Sequence, residues 1–209
     1  DQQWVDVLRL TVEHADGAPV LVGAEVGDAP AVLERAAMAQ ELGADAIVVP
    51  PPFPVPGGER ATFTEHIETV LAASPLPVFV YHENAVSKMP LEVAALREVC
   101  ALDGVVGVKE SSGDAEFTRA VLEAGLPVPL FQGWEHLIAA APGVQGFVGP
   151  LANLEPQACN DALATFSRGA QDRVDELTSR YRLQAEDWYL HVKSELVRRG
   201  VIDTALAVK

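Results

Sequence analysis

A short valine-rich run followed by a longer segment of helical period recurs along this 209-residue chain. The runs are PVLVGA (19–24), ADAIVVP (44–50), LPVFVY (76–81), GVVGVK (104–109), PVPLFQG (127–133) and QGFVGP (145–150). They barely alternate between apolar and polar residues. That is the pattern of strands covered on both faces, as in a parallel sheet. Successive runs begin at 19, 44, 76, 104, 127 and 145, so the repeat is 18 to 32 residues. This is the length of a βα unit, joined to the next by a right-handed crossover.

The intervening segments carry helix punctuation. APAVLERAAMAQELGAD places Val32, Leu33, Ala36, Ala37 and Ala39 around a helix that stops near Gly43. PLEVAALREVCALDG repeats the design, with Pro90 early and Gly104 late. DAEFTRAVLEAGLP does so again, with Asp114 as N-cap and Gly125 past the end. After Pro150 the character changes. Residues 156–200 are rich in Ala, Leu, Arg and Glu and predict two or three helices with no further strand.

Two architectures fit six βα units without a dinucleotide-type glycine pattern: an open doubly wound sheet or a (β/α)8 barrel. The first residues, DQQWVDVLRLTVEHADG, predict a helix leading into the first run. The chain thus begins inside the pattern: either this sequence omits an N-terminal part, or the fold is an incomplete version of a barrel. Residues 1–155 are expected to form the barrel units. Residues 156–209 are expected to form helices packed on them in the same domain.

Composition narrows the function classes. The formal net charge is −15, which repels nucleic acid and anionic membranes. No run approaches the ~18 apolar residues of a membrane span. The two cysteines, Cys100 and Cys159, have no metal-site or disulfide spacing and predict reduced core thiols. With no leader pattern at the start, the expectation is a soluble cytoplasmic protein with no nucleic-acid or membrane partner and no metal.

In parallel α/β folds, functional groups gather at the C-terminal ends of strands. Tyr81 and Lys109 end successive runs. Neighbouring strands lie ~4.8 Å apart, so these side chains can meet over one pocket. A partly desolvated lysine amine attacks ketones and forms a Schiff base, and a nearby phenol shuttles the protons. Structural alternatives exist for each residue. A strand-end lysine can simply reach solvent, and a tyrosine can be a core ring with a wet hydroxyl. His82 can be a loop residue, and Glu110 and Asp114 can be charges at a helix N-terminus.

At these residues the sequence resembles the family of dihydrodipicolinate synthase and N-acetylneuraminate lyase, the Schiff-base pyruvate aldolases. Three stretches carry the likeness: GADAIVVPPPF, PVFVYHENA…VAALREV…GVVGVKESSGD, and FQGWE…GVQGFVGPLANLEP. The resemblance implies a (β/α)8 TIM barrel with a C-terminal helical region. It implies Lys109 as the Schiff-base lysine and Tyr81 as the proton relay. By position, the Gly133 backbone and Val148 line the keto-acid pocket, and Asn153 orders the loop after the last strand. Ser111, Ser112 and His82 are further candidates for contacting substrate hydroxyls. No cofactor or metal is implied beyond the covalent imine, and self-association as a dimer or tetramer is.

Three departures bear on the substrate. The family's paired-threonine segment, which binds the substrate carboxylate, has no counterpart in this sequence. Val86 falls where the lysine-pathway synthases carry a carboxylate-gripping arginine, with Lys88 two residues on. Phe53 stands where those synthases carry a second relay tyrosine. YHENAV is closer to the ketodeoxyglucarate dehydratase branch, whereas KESSGD is closer to the synthase and lyase branch. The expected function is a Schiff-base-forming lyase acting on pyruvate or a sugar-derived 2-keto acid. The alternatives are a ketodeoxyglucarate-type dehydratase and a catalytically silent paralogue that binds a keto acid or a partner. A phosphate-sugar enzyme using GFVGPLAN as its phosphate loop is a further reading, in which no basic residue stands beside the glycines.

Overall fold

Each of the six valine-rich runs forms a strand in the computed structural model, which describes residues 2–24, 27–53 and 60–206, and the third and fourth strands extend one residue past their runs. The chain divides into two units, residues 1–112 with 123–130, and residues 113–122 with 131–209. In the first unit the order is α1 (Gln2–His14), β1 (Leu21–Gly23), α2 (Ala29–Glu41), β2 (Ala46–Val49), α3 (Phe63–Leu71), β3 (Val78–His82), α4 (Val93–Cys100) and β4 (Val105–Glu110). These four strands pair in parallel and in chain order. Val108 N–H donates to Pro129 O at 3.0 Å, which carries the ladder to the threshold of β5 (Leu130–Gln132).

The helices begin and end for local reasons. Asp28 caps α2, its carboxylate accepting the Ala31 N–H at 3.2 Å. The α2 terminus is closed by Gly43 at φ +90°, a left-handed conformation that costs glycine little. None of the quoted helical segments covers α3. Its marker in the sequence is a capping box, Thr62-x-x-Glu65. Glu65 N–H donates to Thr62 Oγ1 at 3.2 Å, and Thr62 N–H donates back to Glu65 at 2.8 Å. The central strands are covered as the valine runs predict. Ile47, Val49, Val78, Val80 and Val108 are fully buried, as are Val32 and Ala36 of α2 and Ile67 of α3.

The second unit contains most of α5 (Ala115–Ala124), the end of β5, β6 (Gly146–Phe147), α6 (Pro156–Thr165), α7 (Arg168–Arg180) and α8 (Trp188–Arg198). Phe131 and Gln132 of β5 pair in parallel with Gly146 and Phe147. Asp114 caps α5, accepting the Glu116 and Phe117 N–H groups at 2.8 and 3.2 Å. Residues 156–200 hold three helices, within the expected range. Their core includes Leu151, Cys159, Ala162, Val174 and Leu177. Arg199, just past α8, ties back to α6 through Leu154 O and Glu155, both at 2.6 Å. Six parallel strands alternating with helices make a partial TIM-barrel-like α/β fold; among the described residues the eight-stranded barrel is present only in part.

One irregularity sets the site. Val78 pairs with Val105, but Phe79 pairs with Gly107, so Val106 is an extra residue in β4. Past this bulge, Tyr81 stands opposite Lys109 and His82 opposite Glu110. In unbroken register Lys109 would instead face His82. Gly107 is the residue that allows the close approach. A Cβ there would lie 2.4 Å from the ring of the buried Phe79. Gly107→Val is expected to destabilise the protein by about 1–3 kcal/mol through overpacking. Urea unfolding checks this, and a variant as stable as the parent would remove the packing role.

Candidate active site

Tyr81 and Lys109 leave the C-terminal ends of β3 and β4 on the same face, because directly opposed residues share a face. The Lys109 Nζ lies 4.4 Å from the centre of the Tyr81 ring. Such an ammonium–ring contact is worth about 0.5–2 kcal/mol, depending on desolvation. Both side chains are half-buried. Burial pushes the Tyr81 phenol above its ordinary range. A hydrogen bond with the Ser111 side chain pulls it partly back, and the negative charge of Glu83 pushes it up again.

Adjacent strand residues face opposite ways. His82 and Glu110 therefore turn to the other side of the strands, where they are 1% and 0% exposed. His82 Nδ1 lies 3.4 Å from Glu110 Oε1, which also accepts the Ser112 N–H at 2.6 Å. The Ser111 N–H donates to His82 O at 2.9 Å. Ser111 thus acts on the Tyr81 phenol, whereas the His82 side chain lies on the far side of the strands. Its expected contact with a substrate hydroxyl is not what this geometry provides. Ser112 is half-buried, its N–H held by Glu110. Glu110 is a strand residue against a histidine rather than a charge at a helix end. Strand alternation was the signal for both.

A cleft of about 320 Å³ opens beside Tyr81, walled by the strand ends of β1, β2 and β3. Ala24, Val48, Pro50, Phe53 and Val86 make it apolar, and Glu83 is its acidic residue. Glu83 organises the loop after β3. Its carboxylate accepts the Val86 N–H at 2.8 Å and the Ser87 N–H at 2.9 Å. Burial raises this carboxyl, but these hydrogen bonds outweigh it and hold Glu83 below the usual carboxylate range. It is therefore ionised at neutral pH. Lys88, at φ +55°, folds its ammonium back onto Ala85 O in the same loop.

Arg60 joins the loops that follow β2 and β3. Its Nε donates to Pro52 O at 2.7 Å, and its Nη atoms donate to Ser87 O at 2.5 Å and Lys88 O at 3.3 Å. The rigid guanidinium fork suits such a multiple contact. Nothing in the sequence marks this residue, because backbone carbonyls 8, 27 and 28 positions away leave no periodic trace.

Gly133 and Val148 lie in the second unit. The fully buried Gln132 accepts the Gly133 and Trp134 N–H groups on Oε1, at 2.8 and 3.0 Å. The Gly133 N–H is thus engaged, leaving its carbonyl as the polar group it can present. Val148 N–H donates to Gln132 O at 3.0 Å, and its side chain is 42% exposed. Asn153 donates to Pro150 O at 3.3 Å, within the loop after β6. In GFVGPLAN the Leu151 N–H is taken by the buried Glu135 carboxylate at 3.1 Å. An acid at that amide disfavours a phosphate.

The two thiols are free and buried, each pushed up to about 12, chiefly by burial. Among the described residues, no three His, Cys, Asp or Glu side chains converge as metal ligands. No described helix is long and apolar enough to cross a membrane.

Two outcomes follow from this geometry. Arg60→Met is expected to cost about 1–3 kcal/mol of stability and to speed amide exchange in residues 83–89. Hydrogen-exchange mass spectrometry checks it, and unchanged exchange would remove the bracing role. For Tyr81, the folded protein binds the phenolic proton more tightly than the unfolded chain. Its contribution to stability is therefore full below about pH 10 and lost as the pH rises through the folded value. Ultraviolet titration of the parent and Tyr81→Phe is expected to assign a late-ionising phenol to this residue.

The sequence model of the dihydrodipicolinate synthetase family matches residues 1–207. A probable 5-dehydro-4-deoxyglucarate dehydratase of Streptomyces coelicolor is 36% identical over 124 residues, covering 59% of this chain and 38% of that protein. A 4-hydroxy-tetrahydrodipicolinate synthase of Corynebacterium diphtheriae is 26% identical over 185 residues, covering 85% of this chain and 60% of that protein. The chain thus spans less than two thirds of the length of these two relatives. Among solved structures, dihydrodipicolinate synthase of Bacteroides thetaiotaomicron superposes with a TM-score of 0.84 at 22% identity, over 99% of this chain and 74% of that one. The Acinetobacter baumannii synthase, solved in complex with pyruvate, gives 0.80 at 21% identity, again over 99% and 74%. The bulge that sets a lysine against a tyrosine therefore sits in a family scaffold, and the chain belongs to the dihydrodipicolinate synthetase family.

Proposed function

We propose that this chain carries the imine-forming site of a class I lyase acting on pyruvate or a sugar-derived 2-keto acid. Members of the family are lyases and aldolases. The observation that carries the finer reading is the placement of Lys109 Nζ over the ring of Tyr81, at the ends of adjacent parallel strands. In this reading the neutral Lys109 amine attacks the carbonyl carbon of the keto acid. The carbonyl oxygen takes up protons and leaves as water, and a protonated imine remains. That imine withdraws electrons from the adjacent carbon, where a C–C or C–O bond then forms or breaks. Tyr81 is the proton carrier, and burial that keeps it protonated at neutral pH suits it to donate first. Ser111 orients the phenol. The imine itself serves in place of a cofactor or metal, and self-association as a dimer or tetramer belongs to the same proposal.

A second reading is a dehydratase of the same family, favoured by the 36% identity to the deoxyglucarate dehydratase relative. Both readings share the imine and differ in the bond that breaks.

The test is intact mass after mixing the protein with pyruvate and borohydride, then peptide mapping. The expected result is a reduced adduct on Lys109 that Lys109→Ala abolishes. Tyr81→Phe is expected to lower turnover by about 10²–10⁴-fold while an adduct still forms. A folded chain that gives no adduct with pyruvate or with sugar-derived keto acids would overturn the proposal and leave a silent paralogue.

A further inference from the structure

From the walls of the cleft beside Tyr81 we infer that the carbon chain carried beyond the keto-acid head is neutral and apolar, and that a second carboxylate is excluded. This rests on Lys109 as the imine-forming residue and adds the class of substrate tail.

The walls that this chain supplies come from three consecutive strand ends. Ala24, Val48, Pro50 and Phe53 contribute hydrocarbon, and Val86 closes the side toward the loop after β3. The volume of about 320 Å³ lies at the lower end of small-molecule pockets, enough for a short branched chain or one ring. Burying apolar tail surface here is favourable at about 25 cal/mol per Å². A hydroxylated tail finds little to replace its lost water.

The charge in the cleft points the same way. Among the described residues that line it there is no arginine, lysine or histidine. Glu83 is held in place by two backbone N–H groups, so it cannot swing away. A carboxylate entering the cleft meets this fixed negative charge across a low-dielectric wall, and like charges so placed repel strongly. Lys88 does not line the cleft; its ammonium is folded onto Ala85 O. A phenyl ring at Phe53 adds an apolar face where a substrate hydroxyl would need a donor.

The inference separates the two readings of function. A deoxyglucarate carries a carboxyl group at each end, so an apolar, acid-walled cleft argues for a keto acid with a neutral tail instead.

The experiment is competitive borohydride trapping on the full chain, read by intact mass. The probes are pyruvate, 4-phenyl-2-oxobutanoate and 2-oxoglutarate at equal concentration. The phenyl-tailed acid is expected to be captured at least tenfold more than 2-oxoglutarate. Val86→Arg changes an exposed side chain and is expected to fold. It should raise 2-oxoglutarate capture by about tenfold, and Glu83→Gln should act in the same direction. Equal or better capture of 2-oxoglutarate by the parent, with pyruvate still trapped on Lys109, overturns this inference alone. Absence of any adduct on Lys109 overturns the imine reading and this inference with it.

Discussion

The parallel pairing of β3 with β4 is the constraint from which the site follows. Its register is not the one its first residues start in. Val106 is inserted, Gly107 passes beneath the ring of Phe79, and the ladder resumes one residue out of phase. Only then do an amine and a phenol face each other. The same shift sends a carboxylate and an imidazole to the opposite side, buried against each other. Because side chains alternate, the two pairs are a single decision: the face that carries Tyr81 and Lys109 cannot be set without setting the hidden one.

The loops complete what the strands begin. A strand end fixes where a side chain starts, but the walls around it are irregular backbone. Here two charged groups organise those walls. Glu83 satisfies amides that would otherwise be left without partners in its own loop, and Arg60 spans two loops through their carbonyls. Both act on backbone groups, which are strong and obligatory hydrogen-bonding groups in any fold. The cleft can therefore be lined with hydrocarbon and still have a defined shape.

Much of this was legible in the sequence, and for identifiable reasons. The valine runs report burial on both faces, so all six strands could be read. Gly43, Gly104 and Gly125 mark places where the chain turns left-handed, and all three do. Tyr81 and Lys109 end neighbouring valine-rich runs in the sequence, and the paired strands set them opposite each other one residue before each strand closes. The bulge was not legible, since an extra valine in a valine-rich strand changes no pattern. A substrate contact for His82 needs it beyond the strand, but it closes β3, and its neighbour Tyr81 fixes its face on the buried side. Arg60 and Gln132 act through single contacts to the backbone, which composition and period do not record.

The two thiols, sealed in apolar surroundings with their ionisation pushed up to about 12, have a practical meaning for the molecule's chemistry. Only four lysines occur in the whole sequence: Lys88, Lys109, Lys193 and Lys209. Lys88 and Lys193 are each engaged with a backbone carbonyl. A chain so poor in nucleophiles has little with which to scavenge stray electrophiles. Reactive carbonyl compounds, which modify most proteins at many lysines, would have few targets to divide among here. Carbonyl damage and the imine chemistry proposed for Lys109 would then draw on the same handful of amines.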